Sequence, residues 1–181
     1  WPRMVQLAWV LTDGETIITQ ENYLICPEGF VIPSSSIEIH GITNERAKEE
    51  GKPILEVLSV FSESLEQADV LVGHNVSFDR SIVTSEFSRA KLNAPILKLP
   101  YHCTMKSSSD VCQLPAKGGR RGYKWPSLSE LHEFLFEEQF DNVSRLHRRH
   151  PPEAPAVGWV YDSHDEAALI VQGAGFVEFG N

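Results

Sequence analysis

The sequence predicts a mixed α/β fold: a sheet, antiparallel early in the chain and parallel later, flanked by helices. Two observations carry this expectation. "MVQLAWVL" (Met4 to Leu11) is almost continuously apolar, as a strand buried on both faces must be, and Asp13-Gly14 behind it is a strong hairpin turn signal. Further on, "DVLVG" (Asp69 to Gly73) is short, apolar and β-branched, and it lies between two segments of helical spacing.

The elements follow in order. "TIITQENYLICP" (Thr16 to Pro27) reads as the strand returning from the Asp13-Gly14 turn. "EGFVIPSSS" reads as a loop, and a tight loop falls at His40-Gly41. A helix begins near Thr43 or Asn44, both good capping residues. From Pro53 to Ala68, an initial proline and apolar residues at Leu55, Leu58, Phe61 and Leu65 predict an amphipathic helix. A second helix runs from Ser77 to Leu92, with Phe78, Ile82 and Phe87 facing inward. "YHCTMKSSSDVC" is a strand end entering a helix, "LPAKGGRRGYKWP" a loop, and Ser127 to Phe136 a capped amphipathic helix. After Phe140 the periodicity is lost. "NVSRLHRRHPPEAPAVGW" mixes His, Arg and Pro as a loop or tail would, "SHDEAALIVQ" regains helical spacing, and "GAGFVEFGN" is short and glycine-rich.

The chain has 181 residues, 41% of them hydrophobic, enough for an ordinary globular core. No stretch approaches the ~18 consecutive apolar residues of a membrane span, and no secretory signal precedes the first strand. Cys26, Cys103 and Cys112 are odd in number and lack CxxC spacing. A disulfide framework or zinc site is therefore disfavoured, and a reducing, cytoplasmic location is the expectation. A net charge of −9 argues against a general nucleic-acid coat. It leaves open an enzyme that meets nucleic acid only at a metal-bearing cleft.

Asp79, one turn into a helix that follows a buried strand, marks the point where crevices form at a sheet edge. The helix dipole favours its ionised form, and an ionised aspartate is a hard oxygen ligand suited to Mg2+ or Mn2+. The plainer alternative is that Asp79 only supports the first helical turn. His74 and Asn75 either line the cleft floor or serve as internal structure, Asn75 bonded to backbone and His74 satisfied in the core. Lys117, Arg120, Arg121 and Lys124, interleaved with Tyr123 and Trp125, suit a strand of nucleic acid passing over a loop; a solvated flexible loop is the other reading.

"GHNVSFDRSIV" resembles the second exonuclease motif of the DEDD superfamily, and more closely the DnaQ-like group that includes the proofreading epsilon subunit of bacterial DNA polymerase III. "WPRMVQLAW", "IHGITNERA", "CTMKSSSDVC" and "YKWPSLSEL" resemble segments of a bacterial DnaQ-like subgroup, in the same order. The resemblance spans about Trp1 to Asn142. It implies an exonuclease-like domain over residues 1–142 and a divergent C-terminal segment over 143–181. It also implies a ribonuclease H-like sheet lacking the family's first strand, which bears Asp-x-Glu. Asp13-Gly14-Glu15 has that spacing but fits a hairpin tip that points away from any cleft.

The activity implied is 3′-to-5′ hydrolysis at the 3′ end of single-stranded DNA by two ions, Mg2+ or Mn2+, with a DNA polymerase catalytic subunit as a partner. Asp79 is then the metal carboxylate. His40, Gly41, Ile42 and Asn75 line the substrate, with Ile42 against a base face. The third motif is irregular: His147 and His150 lack an aspartate at the family spacing. "YDSHD" (Tyr161 to Asp165) supplies His164 and Asp165 as the remaining catalytic candidates, and a helix N-terminus is the competing reading there. The alternative at the level of the whole chain is a non-catalytic module that grips nucleic acid or a polymerase.

Overall fold

A computed structural model of the chain describes residues 1–116, 121–137, 168–172 and 176–177. The main sheet has five strands: β2 (Gln6–Thr12), β3 (Ile17–Leu24), β4 (Val70–Gly73), β5 (Tyr101–Cys103) and β6 (Ala168–Gln172), in the spatial order β3-β2-β6-β4-β5. β2 pairs antiparallel with β3 and with β6, whereas β4 runs parallel to β6 and to β5. A two-stranded ribbon joins β1 (Arg3–Met4) to β7 (Phe176–Val177).

The early-antiparallel, later-parallel pattern is as expected, but the sheet holds no vacant place. Between β2 and β4 lies a strand from the far end of the sequence, with Val10 opposite Ile170 and Leu71 beside Leu169. The helical spacing of "SHDEAALIVQ" is overturned over Ala168–Gln172. An apolar run of this length suits a central strand as well as a helix turn, and two open sheet edges decide in favour of the strand.

The β2–β3 turn forms as read. Asp13 Oδ1 accepts from the backbone N–H of Glu15 at 2.9 Å and of Thr16 at 2.6 Å, and Gly14 takes φ 93°. Asp13 and Glu15 are exposed at this tip, which removes them from any interior site. The segment read as a loop before His40 contains a short helix, α1 (Ser34–His40), which Pro33 precedes with its fixed φ. α2 (Asn44–Glu50) is capped by Thr43, whose side chain accepts from the Arg46 N–H. At the end of α2, a Cβ on Gly51 would lie 2.1 Å from the Ala47 carbonyl oxygen and 2.6 Å from the Cys26 nitrogen.

α3 (Ile54–Gln67) buries Val57, Leu58, Phe61 and Leu65 against the sheet, while Leu55 faces solvent. Leu58, Phe61 and Leu65 thus face inward as expected, and Val57 takes the place expected of Leu55. Trp9 on β2 packs edge-on to Phe61 at 5.0 Å and donates its indole N–H to Ser64 Oγ at 2.9 Å. α4 (Val76–Arg89) buries Val76, Asp79, Ile82, Val83, Glu86 and Phe87. Phe78, expected inward, is instead partly exposed and meets Trp1 edge-on. Its place in the stripe falls to Glu86, which is 1% exposed and takes Arg3 Nε at 3.0 Å, Arg89 at 2.9 Å and the Met4 N–H at 3.0 Å. This carboxylate ties β1 to α4. Beyond β5 come two single-turn helices, α5 (Thr104–Ser107) and α6 (Ser109–Cys112), then α7 (Leu128–Phe136), which starts with a full capping box between Ser127 and Glu130. No helix among the described residues is long and apolar enough to cross a membrane.

Candidate functional site

The carboxyl ends of the parallel strands β6, β4 and β5 open on one edge of the sheet, and the chain turns there twice. After Gly73, His74 and Asn75 lead into α4; after Cys103, Thr104 starts α5. Crevices for ligands form outside such strand ends.

Asn75 makes the first turn. It takes the left-handed conformation, φ 63° and ψ 34°, a geometry that asparagine tolerates better than most residues. Its side chain is exposed and caps nothing. The backbone bond runs from the Phe78 N–H to the Asn75 carbonyl at 2.9 Å. His74 is internal structure. Its Nε2 lies 3.0 Å from the Pro126 carbonyl and its Nδ1 3.2 Å from Thr104 Oγ1. A carbonyl only accepts, so Nε2 carries the proton and Nδ1 accepts from the threonine hydroxyl. Burial lowers the histidine pKa, against a smaller opposing effect of the Pro126 bond, which keeps the ring neutral. One imidazole therefore clasps β4, α5 and the segment before α7 together.

Asp79 lies on the inward stripe of α4 and is 8% exposed. It makes no ion pair with any described lysine, arginine or histidine. Burial pushes its carboxyl from the usual 3.8 up to about 7, against a small opposing pull from its own backbone N–H. The expected stabilisation of the ionised form by the helix dipole is therefore outweighed. Loss of hydration in the interior costs more than the half-charge of a helix end returns. Among the described residues no three His, Cys, Asp or Glu side chains come together as a metal-binding group.

The His40-Gly41-Ile42 segment closes α1. Gly41 adopts φ 72° and donates its N–H to the Ile37 carbonyl at 2.7 Å, while His40 Nδ1 accepts from the Ile42 N–H at 3.0 Å. The Ile42 side chain is 1% exposed and packs with Val5, Ile32 and Ala47. That side chain is occupied by core packing and unavailable to a base, because a small satellite core beneath α2 needs its volume. His164 and Asp165 lie outside the described residues, as do His147, His150, Lys117 and Arg120.

Sequence reading missed Thr104, Pro126 and Lys106. The first two enter through contacts that cross tens of residues, and Lys106 stands over the Trp125 ring at 5.7 Å. A cavity of about 270 Å³ lies on the outer side of α4, lined by Trp1, Arg80, Thr84 and Leu97 among others, and Asp79 takes no part in it. Ser81, Thr84 and Ser85 spend their hydroxyls on helix carbonyls, and Arg80 bonds the Ile96 and Leu97 carbonyls.

The fold has parallels among solved structures. Product-bound exonuclease I is similar with a TM-score of 0.53 and 18% identity, over 63% of this chain and 28% of that one. E. coli exonuclease I in complex with a dT13 oligonucleotide gives a TM-score of 0.57 at 18% identity, and its complex with a dA16 oligonucleotide 0.57 at 17%. Both of these matches cover 71% of this chain, which spans about three-tenths of the length of those proteins. No curated protein matches the chain in sequence. The model of the exonuclease family matches residues 2–148, most of the chain: the chain belongs to the exonuclease family.

Proposed function

We propose that this chain takes the 3′ end of single-stranded DNA into the crevice at the carboxyl ends of β4 and β5 and removes nucleotides in the 3′-to-5′ direction, as a DnaQ-like member of its family. Asp79 carries the reading: a carboxylate held inside the fold at the strand ends, with no cation beside it among the described residues. Natural proteins rarely bury such a group without a counterpart, and the counterpart that suits a hard oxygen is a divalent ion. The oligonucleotide complexes of the exonuclease I neighbours support DNA as the ligand. A polymerase catalytic subunit as partner rests on the sequence resemblance alone.

Mg2+ or Mn2+ is the cofactor implied. Asp79 fits as one ligand, but a two-ion centre needs several, and the described residues do not complete it. No hydrolytic step is assigned to them. His164 and Asp165 stay as sequence candidates for that role.

The incomplete ligand set favours a second reading, a module that holds a 3′ end without cutting it. One experiment separates the two. A 5′-labelled oligothymidylate is incubated with the full chain and Mg2+ or Mn2+. Progressive shortening from the 3′ end that disappears in Asp79→Ala supports the enzyme. Retained binding with no shortening supports the module, and absence of both sinks the nucleic-acid reading.

A further inference from the structure

The aromatic-basic segment noted in the sequence adjoins this crevice. Pro126 is buried, and its carbonyl is the one that His74 holds at the end of β4. Trp125, one residue earlier, turns the other way and is 58% exposed. The segment is fixed by more than that bond: the Lys124 N–H donates to the Leu114 carbonyl at 2.9 Å, Ser109 Oγ donates to the Lys124 carbonyl at 3.3 Å, and Tyr123 bridges to Pro115. An exposed tryptophan on an anchored backbone is a ring presented at little entropic cost.

Charge completes the picture. Lys106 on α5 places its ammonium 5.7 Å from the centre of the Trp125 ring and makes no ion pair among the described residues. Arg121 is exposed in the same segment as Trp125 and Tyr123, which is 46% exposed. Lys124 contributes less, since it is paired with Glu130. In a chain of net charge −9, a lysine with no ion pair among the described residues above a solvent-facing aromatic suits a ligand with both flat rings and negative charge.

We propose that Trp125, with Lys106 over it and Tyr123 and Arg121 in the same segment, forms a stacking surface for a single-stranded nucleic acid at the rim of the crevice. A base lies on the indole and the flanking phosphates meet Lys106 and Arg121. This rests on the reading of the chain as a protein that binds a DNA end, and it locates the strand outside the crevice.

Fluorescence anisotropy of a labelled oligothymidylate, with EDTA present so that nothing is cut, tests it on the full chain. Trp125→Ala should weaken binding about 5- to 150-fold, the loss that accompanies removal of one stacked base. Trp125→Phe should keep most of the affinity. Lys106→Gln should flatten the slope of log affinity against log salt by about 0.7, one phosphate on a single strand. If the wild type binds and Trp125→Ala binds equally well, the surface is refuted while the DNA-end reading stands. If the wild type binds no oligonucleotide, the DNA-end reading fails first and takes the surface with it. Should Trp125→Ala not fold, Lys106→Gln decides: unchanged affinity and salt slope overturn the proposal.

Discussion

Asp79→Asn should make the protein more stable, and the gain should depend on pH. The carboxyl titrates near 3.8 when hydrated and at about 7 in the folded chain. A group whose pKa rises on folding supports the fold fully below the lower value and withdraws that support as pH climbs through the higher one. At about 1.36 kcal/mol per pH unit, the rise amounts to a burden on the order of 4 kcal/mol once the pH exceeds 7. That is a large share of the ~5–15 kcal/mol that holds an ordinary domain together. Asparagine keeps the shape and cannot ionise. Urea melts of wild type and variant should therefore coincide near pH 4, diverge through pH 5 and 6, and part by that amount, or about 8–16 °C in melting temperature, at pH 8. Saturating Mn2+ at alkaline pH should recover part of the deficit in the wild type and leave the variant unmoved. A difference that is flat with pH, or an Asp79→Asn protein less stable than wild type, would refute the inference that the carboxyl is buried without a counter-charge. Equal responses to Mn2+ would place the ion elsewhere.

Other outcomes follow from the same geometry. Ser64→Ala leaves the Trp9 indole N–H without its acceptor inside the core, so thermal melts should show a loss of about 1–3 kcal/mol. Gly51→Ala drives a methyl into the Ala47 carbonyl and the Cys26 nitrogen; a backbone shift costing about 1–3 kcal/mol should appear in urea denaturation, with the far-ultraviolet spectrum retained. Glu86→Ala removes the shared partner of Arg3, Arg89 and the Met4 N–H; both arginines reach solvent but the buried N–H loses its acceptor, so the cost should be about 1–3 kcal/mol, with amide exchange accelerating first at β1.

Signals confined to a few neighbouring residues were legible. The Asp13-Gly14 turn and the Thr43 and Ser127 caps form where the sequence places them, because each is decided by hydrogen bonds within one turn of chain, and β4 forms where its short apolar, β-branched run predicts. Rotation of a helix about its axis was harder to read. α4 turns Phe78 outward and Glu86 inward, since Glu86 finds two guanidinium groups and a backbone N–H beneath it that no local pattern reveals. β6 was missed for a related reason: Ala-Leu-Ile-Val suits either state, and the deciding partners lie about 100 residues away on β4 and further still on β2. At the candidate site Asp79 itself stood out. Its depth did not, and depth reversed the expected sign of its titration. The His74 clasp joins residues 30 and 52 positions away and had no signature along the chain.

The placement of β6 also dictates when this protein becomes itself. Residues 8–12 and 70–72 wait, side by side and unjoined, until residues 168–172 have been synthesised and threaded between them. Such long-range pairing implies slow folding and a nascent chain that exposes two hungry edges to its neighbours, the circumstance in which chaperone dependence and edge-to-edge clumping arise.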